Sequence, residues 1–67
     1  MKPTDILLIC ENNFGKCCSV TLKNGRILAN RILVGTRGNE YGDFFLILSE
    51  GKSESSISAL EIESIDI

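Results

Sequence analysis

The dipeptide Asn24-Gly25 lies between two apolar-rich runs, and it constrains this chain more than any other feature. Asn and Gly accept the positive φ angles that a two-residue hairpin turn needs at its centre. The run before it alternates. Cys18, Val20 and Leu22 point one way, while Cys17, Ser19, Thr21 and Lys23 point the other. That period of two belongs to a half-buried strand. The run after it, Arg26 to Val34, is apolar on both sides: Ile27 and Leu33 on one, Leu28, Ile32 and Val34 on the other. A strand that serves two faces is sharply curved. The pattern therefore predicts an antiparallel hairpin whose second strand bends.

Further strands follow. Asp43 to Leu48 places Phe44, Leu46 and Leu48 on one face and Phe45 and Ile47 on the other. The connection before it, Gly35 to Gly42, is polar and holds three glycines, so it reads as a mobile hairpin. Five serines between Ser49 and Ser58 read as a hairpin tip leading into a short fourth strand over Ser56 to Ala59. Leu60-Glu61-Ile62 and Ile65-Asp66-Ile67 each alternate, but their spacing slips. The slip predicts a 3₁₀ turn or a bulge near Glu61 to Ser64. At the N-terminus, Pro3, Thr4 and Asp5 look like the start of a helix. The apolar run Ile6 to Ile9 suits a strand equally well, and the two readings stay open.

Sixty-seven residues allow one domain, spanning 1–67, with one core. Short strands joined by tight turns must curl to hide their apolar faces. The expected fold is mainly β: a small, strongly bent antiparallel β-barrel, with or without a short N-terminal helix. The chain contains no His, which removes an imidazole base, a Ser-His-Asp triad and any His-containing metal site. Cys17 and Cys18 are adjacent, so on a strand they diverge and cannot chelate one ion together. Cys10 and Cys18 are expected in the core, with Cys17 near the surface. A nucleophilic Cys17 would need a base, and no His can take its proton. A non-enzymatic protein without metal or cofactor is expected. No apolar run nears the roughly 20 residues of a membrane helix. An odd cysteine count fits a reducing compartment, so a cytoplasmic location is expected, with no membrane partner.

The run Gly15-Lys16-Cys17-Cys18-Ser19-Val20-Thr21-Leu22-Lys23-Asn24-Gly25-Arg26 resembles the first signature of the Sm-like superfamily. That signature opens on Gly-Lys, continues as an alternating strand, and closes on Leu-Lys-Asn/Asp-Gly. The Pro3 start and the tail Ile57 to Ile65 are placed as in that family. The resemblance covers most of the chain in outline and about a dozen residues in motif. It implies an Sm-like or related SH3-like barrel and a homo-oligomeric ring formed by edge-strand pairing. Three departures stand out. Asn30 takes the place of a glycine in the bent strand. Asn39, Tyr41, Asp43 and Phe44 lack the order of the family's RNA-binding loop. Ser58-Ala59 replaces its second Arg-Gly pair. The family's nucleotide pocket is therefore not carried over residue by residue.

Net charge is −2, but it is unevenly spread. Through Gly38 six bases face two acids, leaving +4; beyond it one base faces seven acids, leaving −6. Two sets of candidate binding residues follow. Lys23, Arg26, Arg31, Arg37 and Tyr41 are the cations and the ring that would contact RNA phosphates and stack on bases. Phe14, Phe44 and Phe45 sit in apolar surroundings and are expected in the core instead. Glu61, Glu63 and Asp66 are the acidic set that would dock on a basic protein, with Glu61 and Glu63 sharing a face if the segment is a strand. Two functions are thus expected. One is an Sm-like regulator that binds RNA as a ring. The other is an acidic inhibitor or adaptor of phage or mobile-element type. The Rho-binding antiterminator family is similar in using an Sm-like barrel in that second way.

Overall fold

Alternation makes strand β1, Cys17–Leu22, and its apolar half is the buried half: Cys18, Val20 and Leu22. A computed structural model describes all 67 residues. The turn after β1 differs from the expected two-residue form. Leu22 and Arg26 pair across a three-residue loop, with Leu22 N–H donating to Arg26 C=O at 2.8 Å and Gly25 N–H to Leu22 C=O at 2.9 Å. Only Gly25 takes positive φ, at +90°, while Asn24 stays in the ordinary region and accepts Arg26 N–H on its Oδ1 at 2.9 Å. This is a turn closed by a left-handed glycine, the common three-residue alternative.

Strand β2, Ile27–Gly38, is the longest element, and it is bulged twice. Ala29 and Asn30 together oppose Ser19, between the pairs Cys18 with Arg31 and Val20 with Leu28. Asn30 sits at φ +57°, the one non-glycine residue with positive φ. Asn tolerates that conformation better than other side chains, so it serves where a glycine is otherwise needed. Val34 is the second extra residue. The bulges change the expected face assignment. Leu28 and Leu33, five positions apart, both point into the core, while Ile27, Ile32 and Val34 are exposed.

Strands β3 (Phe44–Glu50) and β4 (Ser53–Ser58) pair in unbroken register from Phe45 with Ser58 to Glu50 with Ser53. The serine run is therefore largely strand, and the tip is only Gly51 and Lys52. Serine suits β4 because its first four residues are exposed on a sheet edge, where no packing demand rejects small polar side chains. A 3₁₀ turn over Ala59–Glu61 then leads into β5, Ile62–Asp66. Ser58 Oγ accepts the Leu60 N–H at 3.3 Å to start that turn. Glu63 is an extra residue between the pairs Leu22 with Ile62 and Thr21 with Ser64. The slip in the tail is thus both a 3₁₀ turn and a bulge.

The sheet order is β4-β3-β2-β1-β5, entirely antiparallel. No ladder joins β4 to β5, so the sheet is bent and open rather than closed by hydrogen bonds. Helix α1, Pro3–Cys10, resolves the N-terminal ambiguity. Pro3 occupies the first turn, Asp5 follows it, and Lys2 rather than Thr4 is the cap residue. Eight residues are too few to hold a helix alone. Ile6 and Cys10, one turn apart, anchor it in the core. All eleven buried residues are apolar, and no buried side-chain polar atom lacks a partner. The phenylalanines depart from expectation: none is fully buried. Phe14 is 51% exposed, Phe44 packs at the core margin, and Phe45 is half-buried on the other face of β3. Aliphatic side chains and two thiols already fill the narrow interior. No helix is long and apolar enough to cross a membrane.

Asn30→Gly is expected to keep urea-unfolding stability within about 1 kcal/mol of the parent. Asn30→Val lowers it by about 1–2 kcal/mol, because a β-branched residue resists the left-handed region. Leu46→Ala, at a fully buried site, costs about 2–5 kcal/mol in the same measurement.

Candidate functional site

The curl of β2 brings the turns at both its ends to the 3₁₀ turn. On one side, Lys23 N–H donates to Glu61 C=O at 2.9 Å. There Leu22, Lys23, Asn24 and Arg26 face Leu60 and Glu61 across a cleft of about 400 Å³. On the other side, Gly42, Asp43 and Phe44 meet Ser58, Ala59 and Leu60 in a cleft of about 100 Å³, with Met1 and Pro3 completing it. The Met1 amine donates to the Ala59 and Ile62 carbonyls at 3.2 and 2.6 Å. Leu60 lines both clefts and is 77% exposed.

The five residues of the candidate RNA set do not form one patch. Lys23 and Arg26 share the larger cleft. Arg31 is engaged elsewhere: its Nη1 lies 3.3 Å from Glu50 Oε1 and donates to Ala29 C=O at 2.8 Å. This partly exposed pair contributes about 0–1 kcal/mol, but it removes a free cation from the set. Arg37 lies near the far end of β2, opposite Phe45. Tyr41 stands at the tip of the following turn, 83% exposed.

That turn is well defined. Asn39 N–H donates to Asp43 C=O at 3.0 Å, and Gly42 N–H to Asn39 C=O at 3.2 Å. Asn39 Oδ1 also accepts the N–H groups of Tyr41 and Asp43, at 2.9 and 3.0 Å, and its Nδ2 donates to Asp43 Oδ2 at 3.1 Å. With Gly42 at φ +86°, the β1–β2 turn and this one share a single design. The glycine-rich stretch expected to be a mobile hairpin is strand as far as Gly38 and then a turn built on one asparagine.

The acidic set is also divided. Glu61 belongs to the 3₁₀ turn and faces Lys23 and Arg26. Glu63 is the bulged residue of β5, so it does not share a strand face with Glu61. Asp66 lies opposite Ser19. The single ion pair of the molecule is Arg31 with Glu50, so Glu61, Glu63 and Asp66 are all unpaired. No three Cys, Asp or Glu side chains converge to hold a metal ion.

No protein family, curated protein or solved structure matches this chain. The site therefore rests on its own geometry. Two of its parts were missed in the sequence. One is the exposure of Leu60, which the alternating tail assigned to the apolar set. The signal was Ser58 two residues earlier, a cap that starts a 3₁₀ turn and breaks the strand phase. The other is Asn39, whose spacing to Gly42 repeats that of Leu22 to Gly25.

Cys10 and Cys18 are buried and Cys17 is exposed. Burial pushes the Cys10 thiol up, and the neighbouring Cys18 adds to it. Burial likewise raises Cys18, with Cys17 adding to it. Native protein is expected to alkylate first at Cys17, with Cys10 and Cys18 following only on unfolding, as read by mass spectrometry. Raised thiol pKa values mean the folded state holds protons that the unfolded chain has released. Their stabilising effect is complete below about pH 8.5, the unfolded thiol value, and is lost as pH rises through the folded values. Urea midpoints measured from pH 7 to 10 check this, and replacing Cys10 and Cys18 by Ala is expected to flatten the alkaline fall.

Proposed function

We propose that this chain is a non-enzymatic Sm-like binding module that takes single-stranded RNA at the β2–β3 turn. The observation that carries this reading is Tyr41, 83% exposed on a turn locked by Asn39, with Arg37 leading into it. A ring held out on a fixed turn stacks on a base with little ordering cost, and a guanidinium on the strand leading into that turn neutralises phosphate. Three further features support the Sm-like reading. The Gly-Lys to Asn-Gly run forms β1 and its turn. Asn30 holds the positive φ that a glycine would hold in the bent strand. Asp43 and Phe44, two of the four residues compared with the family's loop, line one cleft with Ser58-Ala59, which stands at the place of its second signature. Both β4 and β5 are unpaired edges, which is compatible with a homo-oligomer joined edge to edge.

A second reading has its own observation. β5 is an open edge carrying Glu63 and Asp66 with no cation paired to either. That edge suits a basic protein segment added as a strand. It also opposes self-pairing with β4, which carries Glu54.

Binding of a short oligouridine, followed by fluorescence anisotropy at two salt concentrations, tests the first reading. Tyr41→Ala is expected to weaken binding by about tenfold, and Arg37→Ala to reduce the salt dependence. No binding at low salt, or binding indifferent to both changes, sinks it. Light scattering on the same sample decides the ring: a mass of 7.4 kDa at every concentration rules it out. Binding of a lysine-rich peptide that Glu63→Lys abolishes would favour the acidic module.

A further inference from the structure

The larger cleft has a chemistry that the RNA reading does not use. One wall carries Lys23 and Arg26, whose charges are unpaired, and the facing wall carries Leu60 and the equally unpaired Glu61. Leu22, a core residue 8% exposed, adds only a small apolar floor. The walls are set by backbone bonds: Lys23 N–H to Glu61 C=O at 2.9 Å joins them, and Arg26 N–H to Asn24 Oδ1 at 2.9 Å fixes the turn. Ser58 caps the 3₁₀ turn and so holds Leu60 out at the rim. A volume of about 400 Å³ lies within the range of small-ligand sites.

We propose that this cleft binds a small phosphomonoester with a partly apolar body and a hydrogen-bond donor, the class that includes nucleoside monophosphates. Two cations against one carboxylate leave a net positive wall, which calls for an anion. The Arg26 guanidinium offers a flat fork of donors that matches phosphate oxygens, and Lys23 adds a mobile point charge. Leu60 and Leu22 shield the body of the ligand from water. Glu61 accepts a hydrogen bond from a hydroxyl or amine at the far end. A bare anion leaves Leu60 and Glu61 without partners, and a neutral nucleoside leaves Lys23 and Arg26 without theirs. The site uses neither Arg37 nor Tyr41, so it stands or falls apart from the RNA reading.

Amide-resolved NMR titration of the whole chain tests this with adenosine monophosphate, adenosine and inorganic phosphate as separate probes. Saturable shifts with the monophosphate are expected at Lys23 to Arg26 and at Leu60 and Glu61. Adenosine and phosphate alone are expected to bind at least about tenfold more weakly. Lys23→Ala with Arg26→Ala is expected to abolish the shifts. Leu60→Ser, at an exposed site, is expected to weaken the monophosphate and leave phosphate unchanged. Tyr41→Ala is expected to leave all three probes unaffected. Absence of saturable shifts, shifts centred on Gly38 to Phe44, or phosphate binding as tightly as the monophosphate would overturn the proposal.

Discussion

Everything in this fold depends on the bend of β2. A straight twelve-residue strand would carry its two turns to opposite ends of a flat sheet. The left-handed residue Asn30 and the extra residue Val34 bend it instead. Because the bulge at Ala29 and Asn30 lies between them, Leu28 and Leu33 enter the same interior, although simple alternation would separate them. The bend also carries the β1–β2 and β2–β3 turns to one 3₁₀ turn, where the molecule has its two clefts. The core and the candidate site are thus products of one backbone distortion.

The sequence made some of this legible and hid the rest for physical reasons. β1 was readable because one face is buried and the other is wet, so alternation is nearly complete. The first half of β4 was hidden because an edge strand facing water has no burial pattern to display, and its serines mimic a loop. The bulges were visible only as a break in phase. At Leu60 to Ile67 the break could be located, but at Asn30 it appeared as a strand with two apolar faces. Helix and strand were indistinguishable over Ile6 to Ile9 because a short apolar run has no period. Its helical state comes from the packing of Ile6 and Cys10, which no local signal encodes. The phenylalanines were misplaced because hydrophobicity ranks residues for burial without asking whether a core of this size has room. Of the candidate residues, the sequence showed which carry charge. It did not show that Arg31 is occupied by Glu50 or that Glu61 faces Lys23 and Arg26.

The division into a basic first part and an acidic second part takes a particular form in space. The strands of the basic part, β2 and β1, lie together in the middle of the sheet, flanked by β3 and β4 on one side and by acidic β5 on the other. The opposing charges come closest at Arg31 and Glu50, 3.3 Å apart, and meet again without pairing at the 3₁₀ turn, where Glu61 shares a cleft with Lys23 and Arg26. Glu63 and Asp66 face solvent along β5. The near-neutral total therefore covers a mixed cleft, one ion pair and an acidic edge rather than a surface of evenly mixed charge.

Leu60 is the wall between the two clefts, and a side chain holds one rotamer at a time. A ligand that selected one rotamer from one side would reshape the other side. Occupancy of the two clefts is then thermodynamically linked. By reciprocity the effect of the first ligand on the second equals the effect of the second on the first. In a chain of 67 residues, a single exposed leucine is thus the side chain that both depressions share.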